Sequence, residues 1–166
     1  EKVSIEPYSG TVLQALDEVD ELVRQVLTTS GRKVVIHCAM HTYRASKTDD
    51  WRQFLGVTSR RHEHQSRYPV KKVALKHPIL KGMPEDWVTP KDELYVIEKM
   101  WPKARALATS KSERDGKEYA VAWTNQYGKA RVFGTTYGHS DATFSDPVFL
   151  KLVARGLLPA SGELED

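Results

Sequence analysis

The chain has 166 residues, of which 40% are hydrophobic and 28% charged, and its formal net charge at pH 7 is +3. These values are typical of one soluble domain with a sizeable core. The small, scattered basic excess argues against a nucleic-acid partner, and no apolar run reaches the roughly 18 residues of a membrane span. A single cysteine cannot form an internal disulfide, so both the cytoplasm and the periplasm remain open as compartments. The oligomeric state is not predicted.

The first elements are those of an α/β protein. Apolar residues at three- and four-residue spacing predict an amphipathic helix over 11–30, which Gly31 can end. A β-branched strand over 34–36 follows after a tight loop, so helix and strand form half of a βαβ unit. Because only ten residues precede the helix, we expect that an opening βα unit is missing from this chain, or that the protein is a shortened variant.

The rest of the chain alternates strands with breaks. A short helix is predicted over 47–55, closed by Gly56, and the prolines of 76–91 predict a loop that no helix could cross. The remaining predictions are strands over 57–61, 70–75, 94–97, 104–108, 119–123 and 131–135, and a final helix over 144–156.

Reactive side chains follow the first predicted strand. His37, Cys38 and His41 come directly after it, and the carboxyl ends of strands are where open α/β sheets place their sites. A nucleophile elbow at Cys38 would require small residues two positions to either side, where Ile36 and Met40 stand. We therefore predict that Cys38 is a packing residue and that the two histidines carry the chemistry.

The histidines suggest either a metal or an acid–base site. Histidine and carboxylate together bind zinc or another divalent cation, and they equally form general acid–base pairs near neutral pH. Buried hydrogen bonding or a surface position is the alternative for each of them. The candidate metal ligands are His37, His41, His62, His64 and His139.

Acidic and aromatic residues at strand ends suit a sugar ligand. Glu93 and Tyr95 follow a proline-rich loop, where they can bind sugar hydroxyls or transfer a proton, or serve only as a capping acid and a half-buried tyrosine. Trp123 and Tyr127 accompany amide side chains. Aromatic faces and amides match the C–H faces and hydroxyls of a carbohydrate, although ordinary hairpin edges also contain them.

Several motifs, taken in order, resemble a known family. The segments HPILKGMP (77–84), DELY (92–95), VAWTNQYGKARVF (121–133) and TTYGH (135–139) are similar to the signature of the ThuA-like (trehalose utilisation) domain. The resemblance covers residues 31 to 162. It implies one domain over 1–166 with a class I glutamine-amidotransferase-like fold, which is a flavodoxin-like three-layer α/β sandwich. It also implies a link to sugar catabolism, with relatives associated with trehalose and keto-disaccharide breakdown.

The resemblance also points to particular residues. The positions that match polar residues of the family motifs are His37, Glu93, Tyr95, His139 and one of His62 and His64.

We therefore predict a sugar-catabolism enzyme with its site at the carboxyl end of the central sheet. It would act on a disaccharide or keto-glycoside by hydrolysis or by acid–base elimination, because a keto sugar has an acidified proton beside its carbonyl. A non-catalytic carbohydrate-binding or accessory module is the alternative, and a cysteine-dependent amidotransferase- or protease-like enzyme is a third. The predicted catalytic residues are His37, His41, Glu93 and His139, and the predicted substrate-binding residues are Arg44, Tyr95, Trp123 and Tyr127.

Overall fold

A computed structural model describes residues 31–43 and 46–157, so the helix predicted over 11–30 and Arg44 lie outside the described residues. The strands are β1 (Gly31–Ile36), β2 (Val57–Ser66), β3 (Lys71–Lys72), β4 (Asp92–Met100), β5 (Arg105–Lys111), β6 (Glu118–Tyr127) and β7 (Ala130–Thr135). The helices are α1 (Asp50–Leu55), α2 (Asp141–Phe144) and α3 (Pro147–Leu157), with two 3₁₀ turns at His37–His41 and Pro78–Leu80.

The central sheet is mixed. Its strand order is β1-β7-β6-β5-β3, while β2 and β4 form a separate antiparallel pair. Among the described strands of the central sheet, only β1 and β7 pair in parallel, with Gly31 opposite Ala130 and Ile36 opposite Thr135. Parallel strands end at the same edge, so the residues that follow Ile36 and Thr135 come together there.

Helices cover both faces of this sheet. Neighbouring residues of a strand point to opposite faces, and on β7 these are Val132 and Phe133. Val132 belongs to the apolar cluster that contains Phe54 of α1, whereas Phe133 belongs to the cluster that contains Phe149 of α3. The expected α/β fold is confirmed, and this helix–sheet–helix layering is consistent with a flavodoxin-like sandwich.

Several element predictions were wrong in extent, and for three of them the structure shows the cause. The strand predicted over 57–61 continues to Ser66 because β4 pairs with it along its length, which outweighs its polar composition. The strand predicted over 70–75 has only two residues, since the N–H groups of Val73 and Ala74 both donate to Leu107 O and turn the chain. The final helix is two helices, because Asp146 caps a new one that begins at Pro147.

Within the described ranges, no helix is long and apolar enough to cross a membrane.

Candidate functional site

Three imidazole rings surround a single carboxylate oxygen. Oε2 of Glu93 lies 3.3 Å from Nε2 of His37 and 3.4 Å from Nδ1 of both His62 and His139. Glu93 itself is only 8% exposed. His37, His62, Glu93 and His139, called the histidine cluster below, come from the 3₁₀ turn after β1, from β2, from β4 and from the segment after β7. The tertiary fold therefore creates the site.

The end of β1 sets the position of His37. This residue has φ +49°, a left-handed conformation that is uncommon outside glycine and that often marks functional turns. Burial lowers the pKa of His37, although the nearby carboxylates of Asp92 and Glu93 oppose the effect. A lowered pKa favours the neutral imidazole at pH 7. Its buried Nε2 forms no aligned hydrogen bond within the described residues.

A β-bulge selects His62 rather than His64. On β2, His62 pairs with Tyr95 and Gln65 pairs with Glu93, so three steps on β2 match two on β4. The extra residue brings both His62 and Gln65 to the side of Glu93, as bulges do when they redirect a side chain. Nε2 of His64 is instead 2.9 Å from Oε2 of Glu113, away from the cluster.

The protonation of His62 follows from its neighbour. Nδ1 of His62 lies 2.9 Å from the backbone carbonyl oxygen of Glu63. A carbonyl oxygen only accepts hydrogen bonds, so Nδ1 has the proton. His62 therefore faces Glu93 with an N–H group and cannot ligate a metal through that nitrogen.

Asp92 holds the loop that contains His139. Its carboxylate is fully buried and accepts hydrogen bonds from the backbone N–H groups of Gly138 and His139 at 3.0 and 3.3 Å, and from the Thr143 hydroxyl. Gly138 has φ +128°, and a Cβ there would lie 2.6 Å from Cγ2 of Ile36. Glycine is therefore required for the loop to approach the end of β1.

Tyr95 and His41 form an aromatic wall beside the cluster. The ring of Tyr95 lies 4.4 Å from that of His41, 4.8 Å from that of His37 and 5.4 Å from that of His62, centroid to centroid. Nε2 of His41 is 3.4 Å from the Ser59 hydroxyl. His41 thus borders the cluster without reaching Glu93, and Tyr95, only 2% exposed, packs between the imidazole rings.

Three of these residues fit a divalent cation. Nε2 of His37, an oxygen of Glu93 and a ring nitrogen of His139 all lie within 4.8 Å of one another. Ligands about 2.1 Å from a tetrahedral zinc ion stand about 3.4 Å apart, close to the 3.3 and 3.4 Å observed here. Two histidines and one carboxylate form the ligand set of several catalytic zinc and iron sites.

Gln65 determines what His139 can do. The amide nitrogen of Gln65 lies 2.6 Å from Nε2 of His139. In this orientation the amide donates, Nδ1 of His139 has the proton, and His139 faces Glu93 as an acid. If the amide is turned over, its oxygen accepts from Nε2–H and leaves the Nδ1 lone pair for a cation. Amide orientations are assigned from such networks.

Comparison with known proteins places the chain. The family model for trehalose utilisation, ThuA, matches residues 5–159. The chain belongs to the ThuA family. No curated protein matches it.

Solved structures of low identity support the ThuA fold. A protein described as ThuA-like from Parabacteroides merdae is 22% identical with a TM-score of 0.71, and the match covers 99% of this chain and 70% of that one. One from Bacteroides uniformis is 18% identical with a TM-score of 0.66, covering 93% and 65%. A β-galactosidase from Rahnella sp. R3 is 16% identical with a TM-score of 0.57, covering 82% and 20%. Identities this low show the fold alone.

Other residues that the sequence suggested lie away from the histidine cluster. Trp123 is fully buried, and its indole N–H donates to Leu55 O at 2.7 Å. The Tyr127 hydroxyl donates to Asp50 at 3.0 Å, at the opposite edge of the sheet from His37. The prediction that Cys38 packs in the core was wrong, because its side chain is exposed on the first 3₁₀ turn.

Sequence reasoning missed two residues that contact the histidine cluster or its loop, Gln65 and Asp92. Gln65 reaches His139 only because of the bulge in β2, which no local pattern indicates. Asp92 directly precedes Glu93 in a strand, so it points to the other face. A carboxylate next to a candidate catalytic carboxylate, at the start of an otherwise apolar strand, was the available signal.

Proposed function

We propose that this protein is a sugar-catabolism enzyme that transfers protons on a keto-disaccharide or keto-glycoside at the histidine cluster. One observation supports this most directly: three imidazole nitrogens lie 3.3–3.4 Å from a single oxygen of the buried Glu93. A carboxylate with adjacent ring N–H groups is the equipment of general acid–base catalysis.

Elimination is the reaction that these groups suit best. The keto group acidifies the neighbouring C–H, and Glu93 removes that proton to give an enolate. The electron pair then expels the glycosidic oxygen, which takes a proton from the Nδ1–H of His139. The donors of His62 and Tyr95 lie on the same side and would stabilise the enolate oxygen. Addition of water to the resulting double bond would complete a net hydrolysis.

A metal-assisted version of the same chemistry is the second candidate. The donor spacing around Glu93 favours it, as does the neutral state of His37, since imidazole must be deprotonated to ligate. His37, Glu93 and His139 would hold the ion, with zinc as the example. The cation would polarise the carbonyl of the keto sugar, and a proton donor such as His62 would then serve the leaving oxygen.

The test is proton exchange and cleavage of a keto-disaccharide in D₂O, followed by proton NMR. The native protein should exchange the C–H beside the keto group and release a monosaccharide. Glu93→Gln should slow both by about 10²–10⁴-fold, the usual contribution of a general acid or base. The matched control is Glu113→Gln, because Glu113 pairs with His64 outside the cluster.

Two results would contradict the proposal. If Glu93→Gln kept its rate, Glu93 would not be the base. If calorimetry showed that the sugar binds while neither exchange nor cleavage occurs, the protein would instead be an accessory carbohydrate-binding module. Thermal unfolding of each variant shows whether a lost rate reflects a lost fold.

A further inference from the structure

A basic cleft lies at the edge of the central sheet opposite the histidine cluster. It has a volume of about 200 Å³. Its floor is formed by the first residues of β1 and β7 and by neighbouring parts of β5 and β6, and its walls by the turn at Pro78–Leu80 and the end of α3 at Gly156. A Cβ on Gly156 would lie 2.3 Å from Phe133, so glycine lets α3 end directly on the sheet.

Strand register concentrates positive charge in this cleft. Arg32 of β1 lies directly opposite Arg131 of β7, and Arg105 of β5 lies opposite Thr124 of β6. Like charges directly opposite each other destabilise a sheet. Lys103 also lines the cleft, and no carboxylate is among its described lining residues.

Three of these cations have no ion-pair partner in the part of the chain that the structure describes: Lys103, Arg105 and Arg131. Other basic residues are paired, such as Arg60 with Glu98 and Lys71 with Glu118. The Thr124 hydroxyl that lines the cleft also makes no hydrogen bond within the described residues. The cleft therefore presents donors and positive charge that an anion would satisfy.

We propose that this cleft binds the phosphoryl group of a small molecule, either free phosphate or a phosphate ester. A phosphoryl group has a charge of about −1.5 to −2 at pH 7 and three acceptor oxygens, and guanidinium groups bind it in a two-pronged manner. A single carboxylate would neutralise less of the charge. The volume of about 200 Å³ is below the roughly 300–1,000 Å³ of drug-sized sites, so the ester is at most monosaccharide-sized.

Isothermal titration calorimetry of the full chain tests this site with inorganic phosphate, glucose-6-phosphate and glucose. Both phosphates should bind at low ionic strength and weaken as salt rises, and glucose should not bind. Arg131→Gln should weaken binding by about tenfold to a hundredfold, the usual effect of losing a charged hydrogen bond. The double variant with Arg105→Gln should abolish it. Arg60→Gln, on the exposed face of β2, is the matched control and should bind normally.

The two phosphate arms distinguish the source of the group. Tighter binding of glucose-6-phosphate would identify an ester as the ligand, and equal binding would identify free phosphate; either supports the site. Absence of binding by both phosphates, or normal binding by the double variant, would overturn the proposal. Glu93→Gln should bind phosphate normally. If that variant lost binding, the ligand would lie at the histidine cluster, so this proposal would fail independently of the proposed enzyme.

Discussion

The same two strands form both edges of the central sheet, and the two edges differ in chemistry. The edge with the histidine cluster is called the histidine edge below, and the edge with the basic cleft is called the basic edge. β1 has Arg32 near its start and leads into His37, while β7 has Arg131 near its start and leads to His139. The strands are six residues long, which separates the edges by about 20 Å. This exceeds the Debye length of about 8 Å at physiological ionic strength, so the exposed charges of one edge act only weakly on the other.

The difference shows what each edge can do. At the histidine edge, a buried carboxylate is surrounded by imidazole rings, an arrangement that suits proton transfer. At the basic edge, Lys103, Arg105 and Arg131 have no ion-pair partner within the described residues, and the guanidinium charges are permanent, which suits ligand capture. Distance keeps the imidazoles away from the arginines, whose positive charge would further oppose their protonation.

The largest expected effect comes from removing an imidazole from the histidine edge. His139→Ala should lower turnover of a keto-disaccharide by about 10²–10⁴-fold, because it removes the acid beside Glu93. Its temperature of unfolding should change little, since the ring is partly exposed. His64→Ala is the matched control, because that ring pairs with Glu113. Equal losses of turnover in both variants would contradict the prediction, because the loss would then not depend on the position of His139 beside Glu93.

The next prediction uses variants of Gln65 to distinguish a metal centre from an acid–base site at the histidine edge. Glutamate at position 65 only accepts hydrogen bonds, so Gln65→Glu should fix the proton on Nε2 of His139 and free Nδ1 for a cation. Gln65→Leu removes the hydrogen bond, and loss of such outer contacts costs about 10–100-fold in metal affinity.

Titration of zinc or cobalt into the native protein, Gln65→Glu and Gln65→Leu measures this difference in metal affinity. Tight binding in Gln65→Glu with weakened binding in Gln65→Leu would support a metal centre. Equal and negligible binding in all three would leave the acid–base form, in which Gln65→Glu loses turnover because Nδ1 no longer has the proton.

A smaller effect is expected at Asp92, whose buried carboxylate holds the loop that contains His139. Asp92→Asn puts an amide NH₂ where one carboxylate oxygen now accepts hydrogen bonds, and an unsatisfied buried group costs about 1–3 kcal/mol of the free energy of unfolding. Urea unfolding measures this loss, with the exposed Asp86→Asn as control. Phosphate binding at the basic edge should be unchanged. A parallel loss of phosphate binding would show that the two edges are coupled.

The fold could be predicted from sequence where the pattern is local. The strand before His37, the helix closed by Gly56 and the loop over 76–91 follow from β-branching, a left-handed glycine and proline. The extent of β2 could not be predicted, because its polar residues are held in a strand by pairing with β4. Predictions failed mainly where tertiary pairing outweighed local propensity.

The candidate site was likewise only partly predictable from the sequence. His37, Glu93 and His139 were named from motif and position, and the structure brings them together. The choice of His62 over His64 depends on a bulge, and the burial of Trp123 depends on packing across Gly134, where a Cβ would be 2.3 Å from the indole. Neither feature has a signature in a single sequence. From sequence alone, side chains at the two ends of a strand cannot be assigned to an edge of the sheet, because that assignment requires the strand register.

The smallest expected effect distinguishes the edges by their response to alkali. Burial, with help from Glu63 and Glu113, raises the pKa of Tyr68 to about 12, and its hydroxyl donates to His64 O at 2.7 Å near the histidine edge. The folded state favours the protonated phenol, so this stabilisation is complete below about pH 10 and is lost as pH rises towards 12. The arginines of the basic edge stay charged over this range, so they contribute nothing to the change.

Urea unfolding at several pH values between about 10 and 12 measures this slope. Tyr68→Phe should lower stability by about 1 kcal/mol at neutral pH through the lost hydrogen bond, but should make the alkaline decline shallower. Tyr43→Phe, at an exposed tyrosine, is the control and should keep the native slope. Burial also raises the pKa of Tyr137, which remains in both variants, so a residual decline is expected. Parallel curves for Tyr68→Phe and the native protein would mean that Tyr68 does not titrate with unfolding, and that its hydroxyl acts only as a donor.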